Sequence, residues 1–365
     1  MTQAQRTIVF TGGGSAGHVV PSIPLIERLI ARGWRVHYVG STSGLEQRLI
    51  ADCHISFDAI ATGKLRRYWS FENAVDLFRV AAGCVQALMV LRRRRPHVVF
   101  SKGGYVSFPV VFAAWLLRIP VIAHESDLTP GLANRLAFPF TAKICVNFAE
   151  THIGGHTDKI VHSGTPIRSA LLRGSAERGR TFCGVEPERP VLLVVGGSLG
   201  SERINQVVRQ ALPALTAQFH VIHICGAGNL DAALDRHEHY SQFEFVSEQW
   251  GDILAAAVIV VSRAGANTLF ELLTLGKPNL LIPLSLGASR GDQIDNARYA
   301  QAHGFSAVLE EEKLSVETLL ARLNSIRDEL DQWPGRLQRF PRMDSVACIT
   351  ALIEQTARPC PHPEL

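Results

Sequence analysis

The chain has 365 residues, 47% apolar and 19% charged, with a formal net charge of +4. That is length enough for two domains with separate cores, and too small a basic excess to argue for a nucleic-acid binder. Seven cysteines (Cys53, Cys84, Cys145, Cys183, Cys225, Cys348, Cys360), scattered and never spaced as CxxC, read as reduced thiols in a cytosolic protein, not as a disulfide frame or a zinc site.

The first residues, MTQAQRTIVF, lead into a strand without the pattern of a signal peptide. Apolar runs predict strands at 7–11, 36–40, 97–101, 121–124, 143–146 and 160–162, with amphipathic helices between them at 22–31 and 73–94. The apolar region Tyr105 to Leu117 is too short to span a bilayer, so any membrane contact is expected at a surface. The polar stretch Arg173 to Pro190 breaks the rhythm and is the expected linker. Strands then recur at 191–195, 220–225, 243–246, 258–262 and 279–283, and a last helix is expected near 345–355. Strands this apolar are buried on both faces, as in parallel sheets covered by helices. The expected fold class is α/β, with two doubly wound domains.

Two strand–glycine turn–helix units, Thr7 to His18 and Val191 to Asn205, each form a half-site for a phosphate, which suggests a ligand held between two lobes. Gly12, Gly14 and Gly17 match GxGxxG, but the second strand ends Tyr38-Val39-Gly40-Ser41 without the acidic residue that holds a dinucleotide's ribose; the nearest is Glu46, in the next helix. No GxxxxGK[ST] occurs. His18, placed at a helix start, would be a neutral ring able to take a proton, or simply a cap of the turn. Gly103-Gly104 make a third glycine turn on the same presumptive face. In Val258 to Glu271 a strand leads through Arg263-Ala264-Gly265-Ala266 into a helix, where backbone donors at Ala266 and Asn267 suit an anion or hydroxyl. Glu271 there suits a cis-diol, or merely complements the helix dipole.

The ordered motifs GGGSAGH, SKGGYVS, HESDLTPGLANR, GTPIR, GGSLGS, SRAGANTLFE and GDQIDNA resemble the MurG family of bacterial cell-wall glycosyltransferases over about residues 7 to 325. The resemblance implies the GT-B fold, two Rossmann-like domains facing a central cleft. Residues 1–166, completed by a C-terminal segment 343–365, would take the acceptor and face the membrane, and residues 167–342 would bind UDP-GlcNAc. It implies inverting transfer of N-acetylglucosamine from UDP-GlcNAc to the MurNAc 4-hydroxyl of undecaprenyl-diphospho-MurNAc-pentapeptide (lipid I), forming lipid II. His18 would be the base. Ser15, Ala16, Gly17, Arg168, Ser198, Phe245, Val246, Ala266, Asn267, Glu271 and Gln293 would serve the donor. Gly13, Gly14, Gly103, Gly104, Tyr105, Glu125, Asp127 and Asn134 would serve the acceptor and its diphosphate. Many members have HEQN where this chain has His124-Glu125-Ser126-Asp127, and Asp292 precedes Gln293 where His or Gln is usual.

No metal and no cofactor is expected, since two helix N-termini and Arg168 would carry the leaving diphosphate. Basic and bulky apolar residues mix at Arg66, Arg67, Trp69, Phe78 and Trp115, and at Arg92 to Arg95, which suits peripheral adhesion to an anionic membrane surface, here its cytoplasmic face. Arg92 to Arg95 taken alone read equally as a solvated helix end. Other cell-wall synthesis proteins are candidate partners and nucleic acid is not. A UDP-GlcNAc 2-epimerase, another glycolipid transferase and a silent nucleotide-sugar binder are the competing readings.

Overall fold

Branched apolar runs become central strands along which almost every side chain is buried, because helices cover both faces of each sheet, while the edge strands stay partly open. In the computed structural model, which describes residues 5–42, 44–63, 71–197, 200–287 and 289–359, these strands build two units. One comprises Met1–Ile167 with Met343–Leu365, the other Arg168–Arg342.

The first unit holds seven strands: β1 (Thr7–Thr11), β2 (Arg35–Ser41), β3 (Ser56–Ile60), β4 (Val98–Ser101), β5 (Val121–Glu125), β6 (Lys143–Val146) and β7 (Ile160–His162). All pairs are parallel, in the order β3-β2-β1-β4-β5-β6-β7. Alternate residues divide two cores. Ile8, Phe10, Val98 and Phe100 pack with Leu25, Ile26 and Leu29 of the helix Ile23–Ala31 and with Ile349 and Ile353 of the helix Ser345–Thr356. Val9, Val99 and Val121 pack on the other face, with Val110 and Val111 of the helix Ser107–Leu116 and Leu91 of the helix Phe71–Arg94.

The second unit has β8 (Val191–Val195), β9 (His220–Ile224), β10 (Tyr240–Phe243), β11 (Ala257–Ser262), β12 (Asn279–Leu281) and β13 (Ala307–Val308). These are again all parallel, in the order β10-β9-β8-β11-β12-β13. In both sheets the strand order reverses beside the first strand: between β1 and β4, and between β8 and β11. Ligands of doubly wound sheets sit outside the carboxyl ends of the strands at such reversals.

Three expectations need correction. The strand expected at 243–246 is β10, ending at Phe243, so Phe245 and Val246 lie in the segment after it. Neither β3 nor β13 was anticipated. Arg173 to Pro190 is not a linker: it contains the helix Ala176–Cys183, whose cap Ser175 accepts a hydrogen bond from Arg178 N (3.3 Å). That helix lies so close to the helix Trp250–Ala256 that a Cβ on Gly179 would strike the Asp252 carbonyl. Its charges have a partner, since Asp252 accepts from Arg178 Nε (2.9 Å) and Ser175 N (2.7 Å).

Among the described residues no helix is long and apolar enough to cross a membrane.

Candidate functional site

Three turns gather at the carboxyl ends of β1, β4 and β5. The first is held from below by Glu46, whose fully buried side chain accepts from Gly14 N (2.9 Å) and from Ser41 Oγ (2.6 Å). Gly13 N in turn donates to the Gly103 carbonyl (3.2 Å). The glycines here are needed for space: Gly104, at φ +82°, sits where any Cβ would collide with the Gly13 carbonyl. The Tyr105 ring lies against Gly14, and burial together with the nearby Glu46 charge raises the Tyr105 hydroxyl above its ordinary range.

His18 stands at the end of this first turn, but not at the start of an α-helix. Ala16–His18 and Val20–Ser22 form two short 3-10 turns, and the α-helix begins only at Ile23. The helix-dipole argument for a neutral His18 therefore does not apply. The ring is oriented instead by Ser15, with Oγ and Nδ1 2.8 Å apart. Ser15 is exposed, while Ala16, Gly17 and His18 are half-buried.

At the end of β5, Glu125 is 3% exposed and works as a hub. One carboxylate oxygen accepts from Asp127 N (3.0 Å); the other accepts from Gly131 N (3.1 Å) and Asn134 Nδ2 (2.8 Å). Burial, then the Asp127 charge, raise the Glu125 carboxyl, and the hydrogen bonds from Asn134 and Asp127 N, with the Lys102 charge, draw it back. Asn134 Oδ1 is buried without a partner and would lie 2.6 Å from a Cβ on Gly103, so it points at the glycine turn. His124 Nε2–H donates to the Gly164 carbonyl (3.0 Å), and burial holds the ring well below its usual range, hence neutral.

The second unit offers a comparable set at β8, β11 and β12. Arg263, which the sequence reading passed over as part of a turn, ties these ends together. It donates to the carbonyls of Ile282 (3.2 Å) and Pro283 (3.4 Å), to Ser201 Oγ (2.6 Å) and to Glu311 Oε1 (2.5 Å). Ser201 caps the helix Glu202–Thr216, so one guanidinium fixes the start of that helix against the loop after β12. Glu311 Oε2 also accepts from Ser285 N (3.1 Å).

Gly265, extended at ψ 134°, caps the helix Ala266–Thr274, whose first turn offers backbone donors at Ala266 and Asn267. Glu271 lies in the second turn of that helix, not the first. Its carboxyl is raised by burial and pulled back by the charge of Arg168 and a hydrogen bond from Trp250. Arg168 is thus near enough for its charge to act on Glu271, and the resemblance assigns both to the donor. Gln293 and Asn296 lie in the helix Asp292–Ala302: Gln293 Oε1 accepts from Leu284 N (3.1 Å), tying that helix to the loop after β12, and Asn296 Nδ2 donates to the Ala264 carbonyl (3.2 Å), tying it to the turn after β11. Phe245 is 67% exposed, Val246 half-buried.

Of the remaining expected residues, Ser198, Arg66, Arg67 and Trp69 lie outside the described residues. Phe78 is 77% exposed, next to exposed Leu77 on the helix Phe71–Arg94, which also exposes Val85 and Met89. Trp115 is 48% exposed and packs on Phe112 and Phe140, with ring centroids 5.7 and 5.1 Å away. Arg92 to Arg95 do not act alike: Arg93 (2.5 Å) and Arg94 (2.9 Å) pair with Asp58 of β3. Glu46, Lys102, Arg263 and Glu311 were missed as site residues; Glu46 and Arg263 were noted only for other reasons.

Two family models match the chain: the glycosyltransferase family 28 N-terminal domain over residues 8–146 and the family 28 C-terminal domain over residues 191–339. A Legionella pneumophila (strain Lens) protein named UDP-N-acetylglucosamine--N-acetylmuramyl-(pentapeptide) pyrophosphoryl-undecaprenol N-acetylglucosamine transferase is 49% identical over 352 residues, covering 96% of this chain and 97% of that protein. One of the same name from Geobacillus thermodenitrificans is 47% identical, covering 97% of this chain and 100% of that one. Among solved structures, Acinetobacter baumannii MurG superposes with a TM-score of 0.75 at 23% identity, over 96% of this chain and 100% of the other. UDP-GlcNAc 2-epimerase from Neisseria meningitidis, bound to UDP-GlcNAc, gives 0.68 at 12% identity, over 97% of this chain and 99% of the other. The fold is therefore shared with proteins of differing chemistry, whereas the close relatives carry one function.

Proposed function

Because the chain belongs to glycosyltransferase family 28, we infer that it moves N-acetylglucosamine from UDP-GlcNAc to the MurNAc of undecaprenyl-diphospho-MurNAc-pentapeptide, the step that yields lipid II in peptidoglycan synthesis. The observation that carries this reading is the near-full-length identity to transferases of that name, 49% over 96% of the chain. The chemistry of the residues in each unit supports it. The acceptor hydroxyl gives its proton to His18 as its oxygen bonds to C1 of the sugar; the C1–O bond to the diphosphate breaks, and UDP leaves with that electron pair. With Nδ1–H donating to Ser15, Nε2 is the nitrogen that takes the proton. Backbone donors of the glycine turns and of Ala266 and Asn267, with Arg168, carry the charge that grows on the leaving group.

The C-terminal unit is the donor unit in this reading. Glu271 holds the ribose hydroxyls, Phe245 and Val246 border the uracil, and Gln293 meets the sugar hydroxyls. Since Glu271 makes charge-assisted hydrogen bonds worth about 1.5–3 kcal/mol, Glu271→Ala should weaken UDP-GlcNAc binding by roughly 10- to 100-fold in calorimetry. Unchanged affinity would remove Glu271 from the donor site.

The N-terminal unit takes an acceptor with a polyprenyl chain, so it works against a membrane surface, peripherally and on the cytoplasmic face. The exposed side chains of Leu77, Phe78, Val85, Met89, Trp115 and Leu116 are its contact surface, with Arg92 contributing charge. Phe78→Asp should lower binding to anionic vesicles by about tenfold or more, the loss of one buried aromatic, and leave UDP-GlcNAc binding unchanged. Equal vesicle binding by the variant would place the contact elsewhere.

UDP release from UDP-GlcNAc, with and without a short-chain lipid I analogue, tests the whole reading. Acceptor-dependent release with a disaccharide-lipid product is expected; conversion of the free donor without acceptor would point to epimerase chemistry.

A further inference from the structure

Lys102 follows β4, and its backbone N–H donates to the Thr11 carbonyl (2.8 Å), continuing the sheet. Its side chain is 1% exposed and passes beneath the first glycine turn, where a Cβ on Gly12 would meet Lys102 Cβ at 3.0 Å. Nζ ends as a donor to Ser126 Oγ. Ser126 lies between Glu125 and Asp127; burial pushes Lys102 down to about 8, and the charges of those two carboxylates hold the ammonium against that. The other titratable neighbours are neutral: His124, held so by burial and by Lys102 itself, and the Cys145 thiol on β6, pushed up to about 12.

A lysine that cannot reach water is costly unless something needs its charge. Here the need is visible. Glu125 and Asp127 stand two residues apart, Glu125 almost fully enclosed, and the turn after β5 is built on the Glu125 carboxylate accepting three hydrogen bonds. Two like charges so close favour protonating one of them, which would cost the turn an acceptor. We propose that Lys102 is a positioning residue of the acceptor site: its buried ammonium, anchored on Ser126, is the counter-charge that allows Glu125 and Asp127 to share this turn and hold it beneath the two glycine turns. The proposal rests on the reading of the N-terminal unit as the acceptor unit.

Lys102→Met keeps the length of the side chain and removes the charge; Asp127→Asn removes the charge it offsets. In the parent chain Lys102→Met should lower kcat/KM for the lipid I analogue at least tenfold, and in the Asp127→Asn background less than threefold. Any smaller difference between the two losses overturns the proposal, because a side chain that only fills space would cost the same in both. Thermal unfolding of the same four proteins gives the second arm. Lys102→Met should lower the midpoint in the parent and by less than half as much in the Asp127→Asn background, or fail to fold in the parent and fold in that background. Equal shifts, or failure in both, overturn the counter-charge role. Absence of acceptor-dependent turnover in the unsubstituted chain would instead sink the acceptor reading, and the unfolding arm would still decide the role of Lys102.

Discussion

Replacing His18 by alanine is expected to reduce turnover about 10²- to 10⁴-fold, the usual contribution of a positioned general base, while UDP-GlcNAc affinity stays within about twofold. The separation follows from where the groups sit. His18 belongs to the first glycine turn of the N-terminal unit, whereas Arg168, Ala266, Asn267 and Glu271 belong to the C-terminal unit. The turn has supports other than the Ser15–His18 bond: Glu46 holds Gly14 N, and the Gly103 carbonyl holds Gly13 N. Alanine at position 18 should therefore leave the loop in place and remove only the proton acceptor. Steady-state kinetics beside donor calorimetry would check both halves. Full turnover by the variant would transfer the base role to another group, with Glu125 the nearest candidate in chemistry; a parallel fall in donor affinity would assign His18 to binding.

Arg263→Met is expected to cost about 2–4 kcal/mol of stability in the C-terminal unit, lowering its unfolding midpoint by roughly 5 to 15 °C. The side chains of Arg263 and Glu311 are 10% and 15% exposed, so removing the cation leaves a nearly enclosed carboxylate that keeps its hydrogen bond from Ser285 N at 3.1 Å. Some solvent contact at Glu311 places the figure below that of a fully buried pair. Arg263→Met with Glu311→Met should recover most of the loss, since an apolar pair strands no charge. The pH dependence has a definite sign. Burial alone would raise the Glu311 carboxyl, but the hydrogen bonds and charge of Arg263, with Ser285, hold it below its ordinary value. Its contribution is thus complete above the unfolded carboxyl's range and lost as pH falls through the lower folded value. The gap between parent and Arg263→Met should accordingly be widest near neutrality and shrink below about pH 4. A gap independent of pH would mean that Arg263 acts through packing and carbonyl contacts alone.

How much of this was legible in the sequence depended on where each residue's partners lie. β1, β4, β8 and β11 are short apolar runs ending in glycine turns or a Gly-containing loop, and both signals are local. β3 reads Ser-Phe-Asp-Ala-Ile: an edge strand with two exposed positions and an acid, and the acid makes sense only beside Arg93 and Arg94, more than thirty residues on. β13 is two residues long and below any periodicity. Motifs and resemblance name the glycine turns, His18, Glu125 and Glu271 as candidates. Glu46, Lys102, Arg263 and Glu311 were not, because a charged residue read alone is assigned to the surface. Only the fold supplies the groups that make burial of each tolerable. His18 shows the converse error, since a glycine turn before an amphipathic run does not reveal that two 3-10 turns intervene before the α-helix.

The helix Ser345–Thr356 puts Ile349 and Ile353 into the same core as Phe10 and Phe100, and Glu354 pairs with Arg32 at 2.7 Å. The sheet that opens the chain is thus finished by residues translated some three hundred positions later, after the whole intervening unit has been made. On the ribosome the second unit has all of its own strands before the first has its last covering helix, so the nascent first unit carries an unsealed apolar face through most of its synthesis. A premature stop after residue 342 would leave that face uncovered and the protein able to aggregate, even though every turn of its candidate site had been made.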